Sequence, residues 1–569
     1  MRFASETSAE SANMAAAAPA TTQPSSMAAE TADALTPEPL FLSSTPLPRQ
    51  GSDAGARQGP DACGIRVANI FASGLLLQRG KPARVWGYAG TACSVDAALV
   101  RRDGSYTRAA LTHEAGGRWV ATFPPMAASA EPAELVFRTS SGSSLTLTGV
   151  LVGDVYLCTG QSNMGSSYNP REERWSDLEI VLGADPSLAS PPGERLALRL
   201  FAVGAHDGWA EAALEELATP PPLAWADAND AKSAARFSAV CYLFGRDLVR
   251  ATGVPVGLIE SAWGGTGLGV WASPTTFAAC EAEPHVLPVE WQPQTPSCLY
   301  FSMIAPFQQL GGLSLAGVLM YIGETNAAMA QRAFYECAFK GVVADFRRDF
   351  GHDEDLWVST VVLEPWVAFM REQNLVADFR GMQLRAAAAS RVDAVLATDL
   401  GEPDAPPGLG SIHPRIKAPI ASRLSSAALA STIHSQPARP HFAGPTYERA
   451  VAVAGRLAAT VHFSAASTSG ALVWRPYDAA SSSTRCPTDK SVPLATCEWF
   501  ALRVGGTWRN ATVTLVDATS IELSVERDPA DATSAVVEAT RHGWSMWPVH
   551  NLYSAAGLPA VPWLEELTT

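Results

Sequence analysis

An apolar run meets a polar turn in the stretch GDVYLCTGQSNMGSS, residues 153–167. An apolar run ends at Gly160, and Ser162 follows at once between the side-chain amides of Gln161 and Asn163. A serine in this position is either a nucleophile on a strand-to-helix turn or a helix N-cap, a position for which serine is preferred. Other parts of the sequence are needed to decide between a nucleophile and a helix N-cap.

The composition limits the classes of partner. The chain has 569 residues and a formal net charge of −15, from 41 Lys+Arg against 56 Asp+Glu. Nucleic acids and anionic membrane surfaces are bound by basic patches, so this balance disfavours both as partners. The negative charge does not argue against a neutral, sugar-like substrate. No apolar run approaches the roughly 20 residues of a membrane span.

The N-terminal residues 1–60 are rich in Ala, Ser, Thr and Pro and lack a periodic apolar pattern, which predicts a disordered tail. Arg2 is the only basic residue before Arg49, and several acidic residues lie between them. The segment therefore fits neither a transit peptide nor a signal peptide well. This segment does not identify the compartment of the protein. The cysteines and the N-glycosylation sequon described next favour a secreted or lysosome/vacuole-like location.

Nine cysteines are present, and none forms a C-x-x-C pair that would indicate zinc or redox chemistry. The spacing is compatible with a bridge between Cys486 and Cys497 and another between Cys280 and Cys298. The one sequon starts at Asn510 and would be used only in a secretory compartment.

Three regions follow the tail. Residues 65–148 contain short alternating segments separated by Gly, Ser and Pro, which predict an N-terminal β-sandwich, and residues 440–565 return to that pattern as a second one. Residues 149–435 alternate strands with helices, which predicts a parallel sheet covered on both faces. In this core the pattern predicts a helix that ends at Gly253 and another over 414–431, with Pro414 in its first turn.

Polar or glycine-rich groups follow four of the predicted core strands. In a doubly wound sheet ligands bind beyond the carboxyl ends of the strands. Together these ends supply a nucleophile, backbone donors, a side-chain amide and an imidazole, which acyl transfer requires. The four stretches are 160–164, 263–266, 323–326 and 399–413.

Other enzyme motifs fit less well. The α/β-hydrolase elbow needs G-x-S-x-G, and Met164 stands at the position of its second glycine. No dinucleotide-binding, P-loop or zinc-protease motif is present. No metal or organic cofactor is therefore predicted.

At these residues the chain resembles the sialate O-acetylesterase family, carbohydrate esterases with a core of the SGNH-hydrolase type. The matching stretches occur in the family's order and cover about residues 65–565. They are FASGLLLQRGKPARVWGYA, GDVYLCTGQSNM, RFSAVCYLFGRDL, VPVGLIESAWGGT, YFSMIAPFQ, YIGETNAA, GSIHPRIKAPIASRL and GLPAVPWL. The resemblance implies a flavodoxin-like α/β/α SGNH-hydrolase core flanked by the two β-sandwich domains.

The resemblance also implies roles for individual residues. Ser162 is the nucleophile, supported by its expected position at a helix start, where the dipole favours an oxyanion. His413 is the general base that takes the serine proton and returns it to the leaving sugar hydroxyl. Gly265 and Asn326 are the oxyanion-hole donors, although a Gly-Gly pair is also common turn chemistry.

Three further residues of the matching stretches, Gln161, Asn163 and Glu324, are assigned to substrate binding. Glu324 is alternatively a residue that favours the start of the following helix, where a carboxylate is stabilised. The substrate implied is an acetylated carbohydrate. Sialic acid follows from the family name, and acetylated xylan or pectin is a rival. The alternative class is a non-catalytic carbohydrate-binding protein, and the oligomeric state cannot be predicted.

The chain departs from the family where an aspartate usually precedes the histidine by three residues, because Gly410 stands there. Asp404 or Asp399 could orient His413 instead, and reach favours Asp404. A Ser–His dyad without a carboxylate is the third option. Two further blocks differ, at 320–324, where Trp-Tyr-Gln-Gly-Glu is expected, and at Gly269, where an acidic residue is expected. These differences concern the substrate more than the esterase chemistry.

Overall fold

The computed structural model describes most of the chain beyond the N-terminal tail. The described residues are 64–165, 176–204, 210–280, 295–329, 331–351, 356–366, 375–403, 405, 411–431, 441–475, 500–532 and 534–567. The predicted disordered tail, residues 1–60, lies outside them, as do Asp404 and Gly410.

The first described region consists of β-strands. They are β1 Ile65–Val67, β2 Leu76–Gln78, β3 Ala83–Ala89, β4 Val95–Val100, β5 Tyr106–Arg108, β6 Ala110–His113, β7 Arg118–Phe123, β8 Ser129–Thr139 and β9 Ser144–Gly160. One sheet has the order β1-β3-β7-β6, and a second joins β5, β4, β8 and the first half of β9. The two sheets meet through buried aromatic rings, such as Trp119 and Phe137, whose centroids are 5.0 Å apart.

Strand β9 continues directly from this region into the α/β core. Its residues 144–152 pair with β8 and its residues 154–160 pair with core strands, across the predicted boundary at 148/149. The hydrophobic residues of the N-terminal sheets and of the α/β core form one continuous buried cluster. The nucleophile turn therefore follows a strand that is anchored in both regions.

The core alternates strands and helices. Its strands are β10 Leu198–Ala202, β11 Leu223–Asp227, β12 Val256–Ala262, β13 Gly317–Tyr321, β14 Trp357–Val362 and β15 Asp393–Leu396. Its helices are α1 Leu178–Ala184, α2 Ala231–Ala235, α3 Ala239–Thr252, α4 Pro274–Cys280, α5 Ala305–Gln308, α6 Glu324–Ala328, α7 Arg332–Phe346, α8 Leu375–Ala389 and α9 Ala418–Ala430.

The core sheet has the order β11-β10-β12-β9-β13-β14-β15. All neighbours from β10 to β15 are parallel, and β11 is antiparallel to β10. Helix α3 packs against α9 and α7 packs against α8, while both α8 and α9 contact β14 and β15. The helices thus cover the two faces of the sheet, and the carboxyl ends of the parallel strands meet at one edge.

Two helix predictions have different outcomes. Helix α3 ends at Gly253, whose left-handed φ of 68° caps it, as predicted. The helix predicted from residue 414 begins instead at Ala418, with Pro419 in its first turn. A helix from 414 would carry Pro419 in its interior, where proline lacks the N–H that the preceding turn requires.

The C-terminal region is again made of strands. They are β16 Tyr447–Ala452, β17 Ala458–Phe463, β18 Leu472–Trp474, β19 Phe500–Val504, β20 Thr507–Asn510, β21 Thr512–Leu515, β22 Ser520–Ser524, β23 Val537–His542, β24 Leu552–Ser554 and β25 Trp563–Glu566. Two sheets, β16-β17-β22-β21 and β20-β19-β23-β25, share a separate hydrophobic cluster. Phe463 of one sheet packs on Trp563 of the other, with centroids 5.5 Å apart.

Disulfides link elements of the core. Cys158 of β9 is bonded to Cys241 of α3, and Cys280 of α4 is bonded to Cys337 of α7. The predicted Cys280–Cys298 pairing is therefore wrong, because α4 packs against α7 and Cys298 is buried as a free thiol. The predicted partners 486 and 497 lie outside the described residues.

Within the part of the chain that the structure describes, no helix is both long and apolar enough to cross a bilayer. Over the same residues, no group of three or more His, Cys, Asp or Glu side chains is arranged to hold a metal ion.

Candidate active site

The turn after β9 places Ser162 at the carboxyl edge of the core sheet. Gly160 has a φ of 147°, and a Cβ built on it would lie 2.1 Å from the carbonyl oxygen of Tyr321, so only glycine fits where β9 turns. Gln161 N then donates to that same carbonyl at 3.1 Å. The sharp turn directs the next residue away from the strand.

Ser162 and His413 are in direct contact. Ser162 Oγ lies 2.8 Å from His413 Nε2, and both residues are buried, at 3% and 6% exposure. The serine is held from behind as well, since Ser176 Oγ donates to its carbonyl oxygen at 2.6 Å. A hydroxyl within hydrogen-bond distance of an imidazole nitrogen is the arrangement that activates a serine nucleophile.

The turn itself differs from the expectation. The prediction that Ser162 begins a helix is wrong over the described residues 161–165, which form a turn in which Gly165 N donates to Gln161 O at 3.1 Å. The Ser162 hydroxyl bonds an imidazole in this turn and does not cap a helix. The support expected from a helix dipole is therefore absent from the described residues of this turn.

Two further predicted site residues follow the strands β12 and β13, the neighbours of β9 in the sheet. Gly265 follows β12 with a φ of 73°. Asn326 lies on α6 and is fully buried, and its Oδ1 accepts from Leu268 N at 2.9 Å while its Nδ2 donates to Gln331 Oε1 at 3.0 Å. Asn326 therefore fastens the loop after β12 to the helix after β13.

The predicted substrate-binding residues are deeply buried. Gln161 is 2% exposed, and its side-chain amide lies against the turn formed by Gly323 and Glu324. Asn163 and Glu324 are both fully buried, and Asn163 Nδ2 donates to Glu324 Oε1 at 2.6 Å. The structure thus brings these three side chains together beneath the turn that carries Ser162.

Two further residues of this cluster escaped the sequence analysis. Glu364, two residues after the end of β14, accepts from Asn163 Nδ2 at 2.9 Å and from the hydroxyl of Tyr321. Lys417, just before α9, donates to Asn163 Oδ1. For Glu364 the available signal was a charged residue that closely follows a buried strand, at the edge where a parallel sheet binds ligands.

Burial shifts the titration of this cluster. Desolvation raises the pKa of Glu324, and the nearby Glu364 raises it further. Desolvation likewise raises the pKa of Glu364 and lowers the pKa of Lys417. Two carboxyl groups and one ammonium therefore share a site from which water is excluded.

Arg380 connects this edge to the C-terminal region. Its fully buried guanidinium donates to the carbonyl oxygens of Leu363 and Glu364, at 2.8 and 2.6 Å, and to those of Ser545 and Met546, at 2.8 and 3.1 Å. Desolvation lowers its pKa to about 9. The chain segment that carries Glu364 is thus fixed from both sides.

Asp399 is committed elsewhere. Its two carboxylate oxygens accept from Arg423 at 2.7 and 2.8 Å, and both side chains are buried. This pair joins the end of β15 to α9, as expected for a structural residue. Asp404 lies outside the described residues.

The blocks that depart from the family are packing positions in large part. Met320 and Ile322 are 2% and 1% exposed and belong to the hydrophobic core. A Cβ on Gly269 would lie 3.2 Å from the rings of Phe277 and Phe334. These three positions therefore lie in closely packed surroundings.

Known proteins resemble this chain over most of its length. Residues 152–407 match the family model of the carbohydrate esterases described as sialic acid-specific acetylesterases. The sialate O-acetylesterase of Homo sapiens is 26% identical over 534 residues, 89% of this chain and 93% of its own, and that of Mus musculus is 24% identical over 560 residues, 89% and 95%. A crystal structure of a carbohydrate acetylesterase from Xanthomonas citri aligns with a TM-score of 0.68 at 25% identity, over 88% of this chain and 99% of its own. The resemblance indicated by the sequence motifs is confirmed.

Proposed function

We propose that this chain, a carboxylic ester hydrolase similar to the sialate O-acetylesterases, removes O-acetyl groups from sugars with Ser162 as nucleophile and His413 as general base. The observation that carries the proposal is the 2.8 Å contact between Ser162 Oγ and His413 Nε2 at the ligand edge of the sheet. No metal or organic cofactor is needed for this reaction.

In the first step His413 takes the proton of Ser162 as Oγ attacks the acetyl carbonyl carbon. The tetrahedral intermediate collapses when the bond to the sugar oxygen breaks, and His413 gives its proton to that oxygen. Water, deprotonated by His413, then attacks the acetyl-enzyme. Acetate leaves, and the proton returns to Ser162.

The oxyanion of both intermediates needs hydrogen-bond donors. We assign the backbone N–H of Gly265 and the side-chain amide of Asn326 to this role. The contact to Gln331 uses one of the two hydrogens that Asn326 Nδ2 carries, and the second can serve the oxyanion. Leu268 N, bonded to Asn326 Oδ1, holds the amide in this orientation.

The imidazole also needs an acceptor for its second nitrogen. We assign Asp404, nine residues before His413, because the Arg423 pair occupies both carboxylate oxygens of Asp399. A Ser162–His413 dyad is the alternative. For Gln161, Asn163 and Glu324 we favour a supporting role over substrate contact, since all three are buried.

The proposed architecture is an SGNH-type core, residues 149–435, between two β-sandwich domains, residues 65–148 and 440–565. The strand order β12-β9-β13-β14-β15 supports it. When the outer strands β10 and β11 are set aside and the rest are numbered along the chain, it reads 2-1-3-4-5, the flavodoxin-like order. The aromatic contacts between paired sheets at each end support the two sandwiches.

The substrate class is an acetylated carbohydrate, with acetylated sialic acid, xylan and pectin as the candidates to compare. The disulfides in the core and the exposed Asn510 of the sequon favour an oxidising compartment, secreted or lysosome/vacuole-like.

The test is release of p-nitrophenolate from p-nitrophenyl acetate by the full chain, by Ser162→Ala and by His413→Ala. Both variants should fall to the background rate. The matched control is Ser302→Ala, which removes a fully buried hydroxyl that donates to Cys298 O, and it should keep wild-type turnover. Activity retained by a folded Ser162→Ala protein would overturn the mechanism. A wild-type chain that binds acetylated glycans without releasing acetate would establish the non-catalytic alternative.

A further inference from the structure

A buried polar network around Asn163 joins the two loops of the proposed catalytic pair. Asn163 follows Ser162 in the chain, and its Nδ2 donates to the carbonyl oxygen of Ile412, the residue before His413, at 2.9 Å. The same nitrogen reaches Glu324 Oε1 at 2.6 Å and Glu364 Oε1 at 2.9 Å. One side-chain amide therefore spans both loops.

Lys417 holds the other end of that amide. Its ammonium donates to Asn163 Oδ1 and lies 5.5 Å above the ring centroid of Tyr321, whose hydroxyl donates to Glu364. Lys417 precedes α9, so the cation is fixed to the segment that carries His413. Hydrogen bonds at both ends of an amide polarise it and strengthen each other.

The energetics of this network make a purely stabilising role a poor explanation. Asn163, Glu324, Glu364 and Lys417 are all fully buried. Desolvating charged groups costs so much that replacing a buried ionic cluster by apolar side chains is often neutral or stabilising. A role in holding one specific geometry explains this buried polar cluster better, because apolar contacts are not directional and could not hold it.

The amide nitrogen cannot serve all its acceptors equally. An NH₂ group carries two hydrogens, and three acceptors lie within 2.9 Å of Asn163 Nδ2. Glu324 and Glu364 therefore compete with the Ile412 carbonyl for these two hydrogens. Lys417, bonded to Asn163 Oδ1, holds the amide in the orientation that reaches Ile412.

From this geometry we propose that Glu364 and Lys417 are positioning residues, which act through Asn163 to hold the Ser162 turn against the His413 loop. This inference rests on the proposed function of Ser162 and His413. It adds two residues to the site, neither of which contacts the reacting atoms directly.

The decisive variants are Glu364→Gln, Lys417→Met and the double variant. Because misplacing a catalytic group by about 1 Å can cost about 100-fold in rate, kcat on p-nitrophenyl acetate should fall about 10–100-fold in each, with KM changed less than about threefold. The double variant removes one negative and one positive charge, so it should regain thermal stability lost by the single variants while its kcat stays low. If Glu364 and Lys417 only stabilised the fold, kcat would recover together with thermal stability in the double variant.

Two controls separate the possible failures. Asp345→Asn changes a buried carboxylate that pairs with Thr276 and Arg348, and it should keep wild-type kcat. Where the charge variants do not fold, Tyr321→Phe removes only the hydroxyl that donates to Glu364, and it should lower kcat at unchanged KM. Wild-type kcat in folded double-variant or Tyr321→Phe protein would overturn the positioning role, provided Ser162→Ala is inactive. Activity in Ser162→Ala would instead overturn the proposed function.

Discussion

The Oγ of Ser162 and the Nε2 of His413 lie 2.8 Å apart, although 251 positions separate the two residues in the chain. Ser162 follows the central strand β9, and His413 lies in the loop that leads to α9. Their proximity therefore depends on the order of the parallel strands and on the packing of the last helix. Residues that fasten this edge should affect activity and stability in separable ways.

Asp399→Asn should lower stability and leave the chemistry intact. The carboxylate makes a two-pronged ion pair with Arg423, at 2.7 and 2.8 Å, in a buried position. Breaking a buried pair costs up to about 3–5 kcal/mol, which denaturant unfolding would measure. The kcat of the folded fraction should stay within a few-fold of wild type.

The matched comparison is Asp404→Asn. An aspartate that orients the histidine of a triad is worth up to about 10⁴-fold in kcat. A loss of that size in Asp404→Asn supports the carboxylate assigned here. If the loss appears in Asp399→Asn instead, Asp399 acts on His413 despite its ion pair. If both variants lose little activity, a Ser162–His413 dyad without a carboxylate is the remaining explanation.

Asn326→Ala should lower kcat by about 10²–10³-fold, the typical loss for one oxyanion donor. KM should change little, because the interaction forms fully only in the transition state. Steady-state kinetics on p-nitrophenyl acetate measures both values. Asn229→Ala, which removes an amide bonded to the backbone of Leu196, is the control. A change confined to KM would assign Asn326 to ground-state binding.

A buried glutamate next to the nucleophile turn should make stability depend on pH. Glu260 accepts from Ser238 N at 2.9 Å, and a Cβ on Gly165 would lie 2.1 Å from its Oε1. Burial raises the pKa of Glu260 from 4.5 to about 8, and the neighbouring Asp177 raises it too. The unfolded chain ionises first, so the stability present below pH 4.5 is lost as the pH rises to about 8.

Glu260→Gln removes this titration and keeps the shape of the side chain. Between about pH 4.5 and 8 the wild type should therefore lose stability relative to the variant, which a lower melting temperature would show. The free energy of unfolding should change by at most about 1.4 kcal/mol per pH unit, because one proton is involved. Glu336→Gln, at a surface pair with Lys340, should run parallel to the wild type. Parallel curves for Glu260→Gln as well would show that Glu260 is ionised in the folded protein.

Local patterns were sufficient for much of the framework. The helix ending at Gly253 carries both of its signals in the sequence, an N-cap at Ser238 and a left-handed glycine after its last turn. The strands Val256–Ala262 and Gly317–Tyr321 are short apolar runs bounded by breakers. Such elements follow from neighbours along the chain, and so does the position of Ser162 after β9 and of Asn326 after β13.

Contacts between distant segments were not predictable from local patterns. Asn163 is 201 positions from Glu364 and 254 from Lys417. Glu364 lies in none of the quoted stretches, and Lys417 lies in GSIHPRIKAPIASRL without an assigned role. Each becomes notable only when parallel strands bring their ends together. The interpretation of 414–431 as one helix failed for a local reason, since Pro419 tolerates only a first-turn position.

The last prediction concerns the cysteines. Proteolysis without reduction, followed by mass spectrometry, should yield linked peptides for Cys158–Cys241 and Cys280–Cys337. Cys298 should resist iodoacetamide in the native protein and react after unfolding, because it is 1% exposed and burial raises its pKa to about 11. Alkylation of the Cys298 thiolate should be slow because the thiol is both inaccessible and protonated, and unfolding removes both obstacles. A linked Cys280–Cys298 peptide would contradict this pairing, since α4 would then be tied to the segment before α5 and not to α7.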